Sequence, residues 1–239
     1  MTKNNILILT LLASLLLISR IAVPESVPKA LETLERFEKK NNLQGQCHVR
    51  AHQIGISAFE KFGARTFALC NEKCGGGCYH GAIGAFTEKF GAEKIDEALK
   101  TACQDSDIKD QCWHGVGHGI LAWHNYELFN ALKSCENTAD DDWHKEECWR
   151  GVFMENVVGT FASHRPPDSF KYLSEADPSF PCTAVPAKYK NACWQFVVFR
   201  LGALYGDNFK EIADGCRKVP FPYNQACFSS VKSNAAKKL

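Results

Sequence analysis

The sequence lacks the short motifs that most often assign a function. It contains no Cys-x-x-Cys-His motif for covalent haem attachment and no His-Glu-x-x-His motif of thermolysin-like zinc proteases. It also contains no Asn-x-Ser/Thr acceptor for N-glycosylation. No motif therefore names a reaction, and neither a c-type cytochrome nor a thermolysin-like protease is predicted.

An excess of charge of one sign is also missing. The 239 residues carry a formal net charge of +1, and no basic run is longer than a pair, such as Lys237–Lys238 near the end of the chain. A nucleic-acid-binding surface needs clustered lysine and arginine side chains. The composition, with 45% hydrophobic and 23% charged residues, predicts an ordinary globular protein and no nucleic-acid partner.

Long apolar runs are absent except near the N-terminus. The segment from Ile6 to Ile18 is almost entirely apolar, with Lys3 before it and Arg20 after it. Its thirteen residues suit the hydrophobic region of a secretory signal better than a membrane span of about 20 residues. Because the small-residue cleavage pattern is poor, an uncleaved anchor that continues through Val23 is the alternative.

The N-terminal segment predicts both the compartment and the domain division. Residues 1–23 are expected to be a signal peptide or an N-terminal membrane anchor, and residues 24–239 a single cysteine-rich helical repeat domain. The domain would be exported: periplasmic, extracellular or anchored on the outer side of the membrane, which it would touch only through the N-terminal segment. In such an oxidising compartment the twelve cysteines predict disulfides rather than metal or redox chemistry.

The cysteines also define an internal repeat. Five segments align when each is anchored on a cysteine, because an aromatic residue follows the cysteine and a small or β-branched residue stands four positions after it. The anchors are 34, 36, 45 and 34 residues apart, a period typical of helical repeat proteins. The aligned segments are CYHGAIGAF, CWHGVGHGI, CWRGVFMEN, CWQFVVFRL and CFSSVKSNA, which begin at Cys78, Cys112, Cys148, Cys193 and Cys227.

A second cysteine precedes each anchor by 8 to 13 residues, and helical patterns precede four of these upstream cysteines. The unit is thus a helix, a cysteine, a loop, a cysteine and a second helix, with a disulfide across the loop. The spacing predicts four pairs: Cys103–Cys112, Cys135–Cys148, Cys182–Cys193 and Cys216–Cys227. The pairing of the other four cysteines is open, and the favoured arrangement is Cys70–Cys78 with Cys47–Cys74.

These units predict an all-α fold. A single helical hairpin cannot bury its own apolar face, so hairpins of this size stack side by side. We therefore expect a solenoid of about five disulfide-stapled helical hairpins, with a period of roughly 34–45 residues.

Histidine is scarce, with eight in the chain, yet five histidines follow one pattern on the predicted helices. The residues two and six positions after an anchor cysteine lie one turn apart on one helix face. In the second segment both are histidines, His114 and His118, and in the first segment one of them is His80. His48 and His52 have the same four-residue spacing further upstream.

Two imidazoles four residues apart on a helix can bind one metal ion. We expect the second-segment pair and His80 to form the core of a site, which the upstream pair completes or accompanies as a second site. The candidate metal ligands are His80, His114, His118, His48, His52 and Glu155. The simpler alternative is that these histidines are buried and bonded to carbonyl groups, or line a wet groove.

Glycines accompany the histidines. Three of them stand three positions after their anchors, which predicts close contact between helices: Gly81, Gly115 and Gly151. Three further glycines are additional to the repeat and are expected to leave room for a ligand: Gly84, Gly117 and Gly119. Each glycine in a helix costs about 1 kcal/mol relative to alanine.

Two binding functions are consistent with these patterns, beside a purely structural role in the cell envelope. The first is an exported metal-binding protein, of which a metalloenzyme is one form, with zinc, copper or iron as the cofactor because imidazole suits all three. The alternative is a non-enzymatic helical-repeat scaffold that binds a peptide, glycan or protein partner on its concave face. On that surface we expect Arg150, Met154 and Gln195.

Overall fold

The computed structural model of the chain describes residues 26–41, 46–91, 94–158, 171–206, 208–225, 227–229 and 231. Within these ranges the regular structure is helical and contains no strand, so the all-α prediction is confirmed there. The predicted signal or anchor segment, residues 1–23, lies outside the described residues.

Eleven α-helices lie in the described part of the chain. They are α1 (Ser26–Asn41), α2 (Gln46–Phe62), α3 (Thr66–Leu69), α4 (Gly77–Phe90), α5 (Ile95–Ala102), α6 (Lys109–Trp123), α7 (Leu128–Thr138), α8 (Asp142–Val158), α9 (Lys190–Trp194), α10 (Val197–Tyr205) and α11 (Phe209–Lys218). None of these helices has the length and apolar character needed to cross a membrane.

Six disulfides join helices and loops within the described residues, and no cysteine there is free. The pairs are Cys47–Cys74, Cys70–Cys78, Cys103–Cys112, Cys135–Cys148, Cys182–Cys193 and Cys216–Cys227. They are the same pairs that the cysteine spacing favours. This disulfide content is consistent with an exported protein that folds in an oxidising compartment.

The predicted order of helix, bridge and helix occurs at α5–α6 and at α7–α8. On α7 the buried residues Leu128, Ala131, Leu132 and Cys135 follow three- and four-residue steps, and so one face of the helix enters the core. The Cys135–Cys148 bridge then connects this helix to α8. Helix α11 begins with a side-chain cap, since the Asn208 side chain accepts a hydrogen bond from the Glu211 amide.

Four helices that carry the candidate ligands pack in succession, α2 against α4, α4 against α6 and α6 against α8. The aromatic residues after the anchor cysteines fill the spaces between these helices and their neighbours. Tyr79, Trp113, Trp149 and Trp194 are all buried, whereas Phe228, in the last segment, is more than one-third exposed. The repeat pattern therefore describes core residues in its first four segments.

Two of these helix contacts have the same backbone geometry. A Cβ atom on Gly55 of α2 would overlap the carbonyl oxygen of Cys78, and one on Gly81 of α4 would overlap that of His52. In the α6–α8 contact, Gly117 and Gly151 stand in the same relation to the carbonyl groups of Cys148 and His114. Only glycine lets two helix backbones approach this closely.

The contact between α4 and α6 is different, because side chains of α4 fill the space beside glycines of α6. Cβ atoms on Gly115 and Gly119 would overlap the Tyr79 ring and the Ile83 side chain, respectively. Close packing thus alternates between two kinds of contact along the row of helices. A regular solenoid of identical hairpins remains a prediction.

The expectation that the additional glycines make room for a ligand is wrong for two of them. The space beside Gly117 is taken by the backbone of α8, and that beside Gly119 by Ile83 of α4. Gly84 does face open space, but it is exposed on the surface of α4. Gly117 and Gly119 therefore serve helix packing, as predicted for Gly81 and Gly151.

Candidate metal centre

Three histidines from two neighbouring helices form one end of the candidate site. His48 and His52 lie one turn apart on α2, and His80 lies on α4. The His48 ring centroid is 4.8 Å from that of His52 and 4.9 Å from that of His80, and the last two are 5.2 Å apart. One nitrogen of each ring lies within 4.8 Å of the others, so the three residues form a group that could hold a metal ion.

His80 also belongs to a second group, with His118 of α6 and Glu155 of α8. The Oε2 atom of Glu155 is 3.0 Å from Nδ1 of His118 and 3.6 Å from Nε2 of His80. The exposed fractions of His80, His118 and Glu155 are 8%, 4% and 2%. The three ligand atoms again lie within 4.8 Å of one another, and the group combines two imidazoles with a carboxylate.

The row of imidazoles continues to His114. The ring centroids of His80 and His118 are 6.2 Å apart, and those of His118 and His114 are 5.1 Å apart. The Nε2 atom of His114 lies 3.3 Å from the thioether sulfur of Met154, and the Phe196 ring lies 6.2 Å from the imidazole. The five histidines therefore form a row with two groups that share His80, and His114 stands at the end of the row beside Met154.

The glycine contacts of the fold explain how side chains from different helices meet. Gly55 and Gly81 bring α2 close to α4, which carry the first group, and Gly117 and Gly151 bring α6 close to α8. The second of these contacts places Glu155, one turn beyond Gly151, beside His118. The backbone distance between the helices thus determines the distance between the ligand atoms.

Hydrogen bonds orient two of the imidazoles for metal binding. The Nδ1 atom of His48 lies 3.0 Å from the carbonyl oxygen of Cys74, and because a carbonyl can only accept, Nδ1 carries the proton. In this tautomer the lone pair is on Nε2, and metal-bound histidines usually donate their other ring N–H to a carbonyl or carboxylate in this way. In the metal-free protein Nδ1 of His118 can donate to Oε2 of Glu155, and a metal ion held by both atoms would replace that proton. The Tyr126 hydroxyl donates to the other Glu155 oxygen, Oε1, at 3.4 Å.

Burial keeps the imidazoles of α6 in the form that binds metals. Desolvation lowers the pKa of His118 to about 4. Desolvation lowers the pKa of His114 to about 3, with smaller contributions from His118 and the Arg150 guanidinium. Both rings are therefore neutral at neutral pH, and a neutral imidazole has the lone pair that a metal ion requires.

The metal-free protein is expected to lose stability as the pH falls below about 6.5, the ordinary histidine pKa. The unfolded chain takes up protons at His114 and His118 there, whereas the folded protein does so only near its lowered pKa values of about 3 and about 4. The free energy of unfolding should thus fall by up to about 1.4 kcal/mol per pH unit for each histidine. Urea unfolding in EDTA, from about pH 7 to about pH 5, measures this. The loss should be smaller in His114→Gln, and an equal loss in that variant would contradict the assignment.

The three residues expected on a partner-binding surface have different surroundings. Arg150 of α8 forms ion pairs with Glu146 and Glu147 on its own helix. Met154 contacts His114, and Gln195, directly after α9, is half-buried. A binding surface at these positions remains a prediction.

Some contacts could not be found from the sequence. The Tyr126 bond to Glu155 comes from the turn after α6 and has no spacing signal. A third group of potential metal ligands lies at the start of α8 and consists of Asp140, Asp141 and His144. Both of its carboxylates are exposed, and exposed acidic groups of this kind are common without a metal. His124, just after α6, is separate from the row and lies 2.8 Å from the Ser134 hydroxyl.

Fold and site together define an all-helical, disulfide-bonded protein with a row of buried and half-buried histidines between packed helices. Comparisons with protein-family models, with curated proteins and with solved structures found no match to this chain.

Proposed function

We propose that the protein is an exported metal-binding protein whose ligands are His48 and His52 of α2, His80 of α4, His118 of α6 and Glu155 of α8. The observation that carries this proposal is the pair of three-residue groups that share His80, each with its ligand atoms within 4.8 Å. Ligand nitrogens about 2.05 Å from a tetrahedral zinc ion lie about 3.3 Å apart, so small side-chain rotations bring either group to binding distance. Glycine-mediated packing and the disulfides hold the four helices in place for this.

The ligand types restrict the metal. Imidazole and carboxylate ligands suit zinc, copper and iron, whereas calcium and magnesium prefer oxygen ligands alone. All twelve cysteines are in disulfides, so thiolate ligands do not take part. Three protein ligands leave a fourth position for water or a substrate, as catalytic zinc sites do, and this is the form in which the protein would be a metalloenzyme.

Metal titration of the protein made in an oxidising compartment tests the proposal. After EDTA treatment and dialysis, we expect the chain to bind Zn²⁺ stoichiometrically and Co²⁺ with the intense visible absorption of tetrahedral coordination. The disulfides should be verified as intact, since a free thiol would bind the same ions. If the oxidised, folded protein binds neither ion in stoichiometric amount, the proposal is wrong.

A further inference from the structure

We infer that His114 and Met154 form a separate site for a soft, monovalent metal ion, Cu(I), at the end of the histidine row. His114 belongs to neither of the three-residue groups that share His80. Its Nε2 atom is 3.3 Å from the Met154 sulfur, and the two side chains come from different helices, α6 and α8. The inference goes beyond the proposed function, because it does not require a metal at His80.

The distance between the two atoms fits ligands of one metal ion. A nitrogen about 2.0 Å and a sulfur about 2.3 Å from one metal are about 3.3–3.5 Å apart when the angle at the metal is near tetrahedral. The His114–Met154 pair meets this distance without any rearrangement.

The chemistry of the pair selects copper in its reduced state. A thioether is a soft ligand that binds Cu(I) and is a poor ligand for Zn²⁺ and Fe²⁺. Met154 is the one methionine of the sequence apart from Met1, and it is half-buried on α8. Its placement against an imidazole thus brings together the two donor types that suit this ion.

The packing around His114 also favours a weakly hydrated ion. The residue is only 9% exposed, and the Phe196 ring centroid lies 6.2 Å from that of the imidazole. A weakly hydrated soft cation gives up less hydration free energy than Zn²⁺ does when it enters such surroundings.

Anaerobic titration with Cu(I) in the presence of a chromophoric Cu(I) chelator tests the inference. We expect one tightly bound Cu(I) per chain, and a loss of affinity of at least about 10-fold in Met154→Leu, which preserves the apolar volume but removes the sulfur. Zn²⁺ binding by Met154→Leu should equal that of the wild type, since neither group at His80 uses Met154. Unchanged Cu(I) affinity in this variant would overturn the site, as would the absence of tight Cu(I) binding by the wild type.

X-ray absorption of the Cu(I)-loaded wild-type protein supplies a second measurement that needs no variant. A sulfur scatterer at about 2.3 Å together with nitrogen scatterers supports the site, and a shell of nitrogen and oxygen alone contradicts it. The reverse control is His80→Asn, which should weaken Zn²⁺ binding and leave Cu(I) binding intact. Failure of the copper site and failure of the proposed function therefore give different results.

Discussion

Replacement of His80 by asparagine is expected to weaken metal binding at both three-residue groups at once. His80 is the residue that the groups share, with its ring 4.9 Å from that of His48 on one side and its Nε2 3.6 Å from Glu155 on the other. Since even an outer-shell partner of a metal ligand is worth about 10- to 100-fold in affinity, loss of this ligand should cost more than about 100-fold for Zn²⁺. Competition with a chromophoric zinc chelator measures the loss.

Two further variants show whether a reduced affinity comes from the shared ligand. His52→Asn should weaken Zn²⁺ binding by the group of His48, His52 and His80, and leave Zn²⁺ binding by the group that contains Glu155 unchanged. The titration should therefore show a lower affinity at only one of the two groups. His124→Asn removes a histidine that is bonded to Ser134 and is separate from both groups, and it should bind Zn²⁺ like the wild type. If His80→Asn resembles His124→Asn while it remains folded by circular dichroism, the shared-ligand arrangement is wrong.

The weaker Zn²⁺ binding of His80→Asn should also be visible in the free energy of unfolding. A ligand that binds only the folded state stabilises it by about 2.7 kcal/mol at 100 times its dissociation constant. Zn²⁺ should therefore raise the free energy of unfolding of the wild type and of His124→Asn, and do so much less for His80→Asn. This comparison holds even if the asparagine lowers the stability of the metal-free protein, because each variant is compared with itself.

The helices and bridges could be predicted from the sequence because their signals are local. Cys135 and Cys148 are separated by a short polar segment, and such cysteines meet whenever the flanking helices turn back on each other. The apolar spacing of α7 likewise depends only on helical periodicity. Contacts between helices depend on their rotation about their own axes, which no single segment specifies, and so the regular solenoid could not be established.

The ligand residues could be predicted as types, but not as groups. The spacing of His114 and His118 places them on one helix face, yet in the structure His118 contacts Glu155 and His114 contacts Met154. A usable signal was present in the recurring segments HQIG, from His52, and HGVG, from His114. In both, the last glycine lies against the next ligand-bearing helix, whereas the sequence pattern at Gly117 predicts space for a ligand.

Gly151→Ala is expected to be strongly destabilising. A Cβ atom there would overlap the carbonyl oxygen of His114, and a backbone atom can move away only if the whole helix moves. Overpacking of this kind costs about 1–3 kcal/mol and sometimes more, and we expect about 3 kcal/mol from urea unfolding. Because α8 would move away from α6, the distance between Glu155 and His118 should increase and Zn²⁺ affinity should fall as well.

Gly84→Ala is the matched control for this prediction. Gly84 is also a helical glycine, but the space beside it is open, and alanine should stabilise the protein by about 1 kcal/mol through its higher helix propensity. The same chemical change should thus have opposite signs at the two positions, with a difference of about 4 kcal/mol. Equal effects of the two alanines would show that α6 and α8 do not depend on the Gly151 contact. The close approach of these helices would then no longer explain why His118 and Glu155 meet.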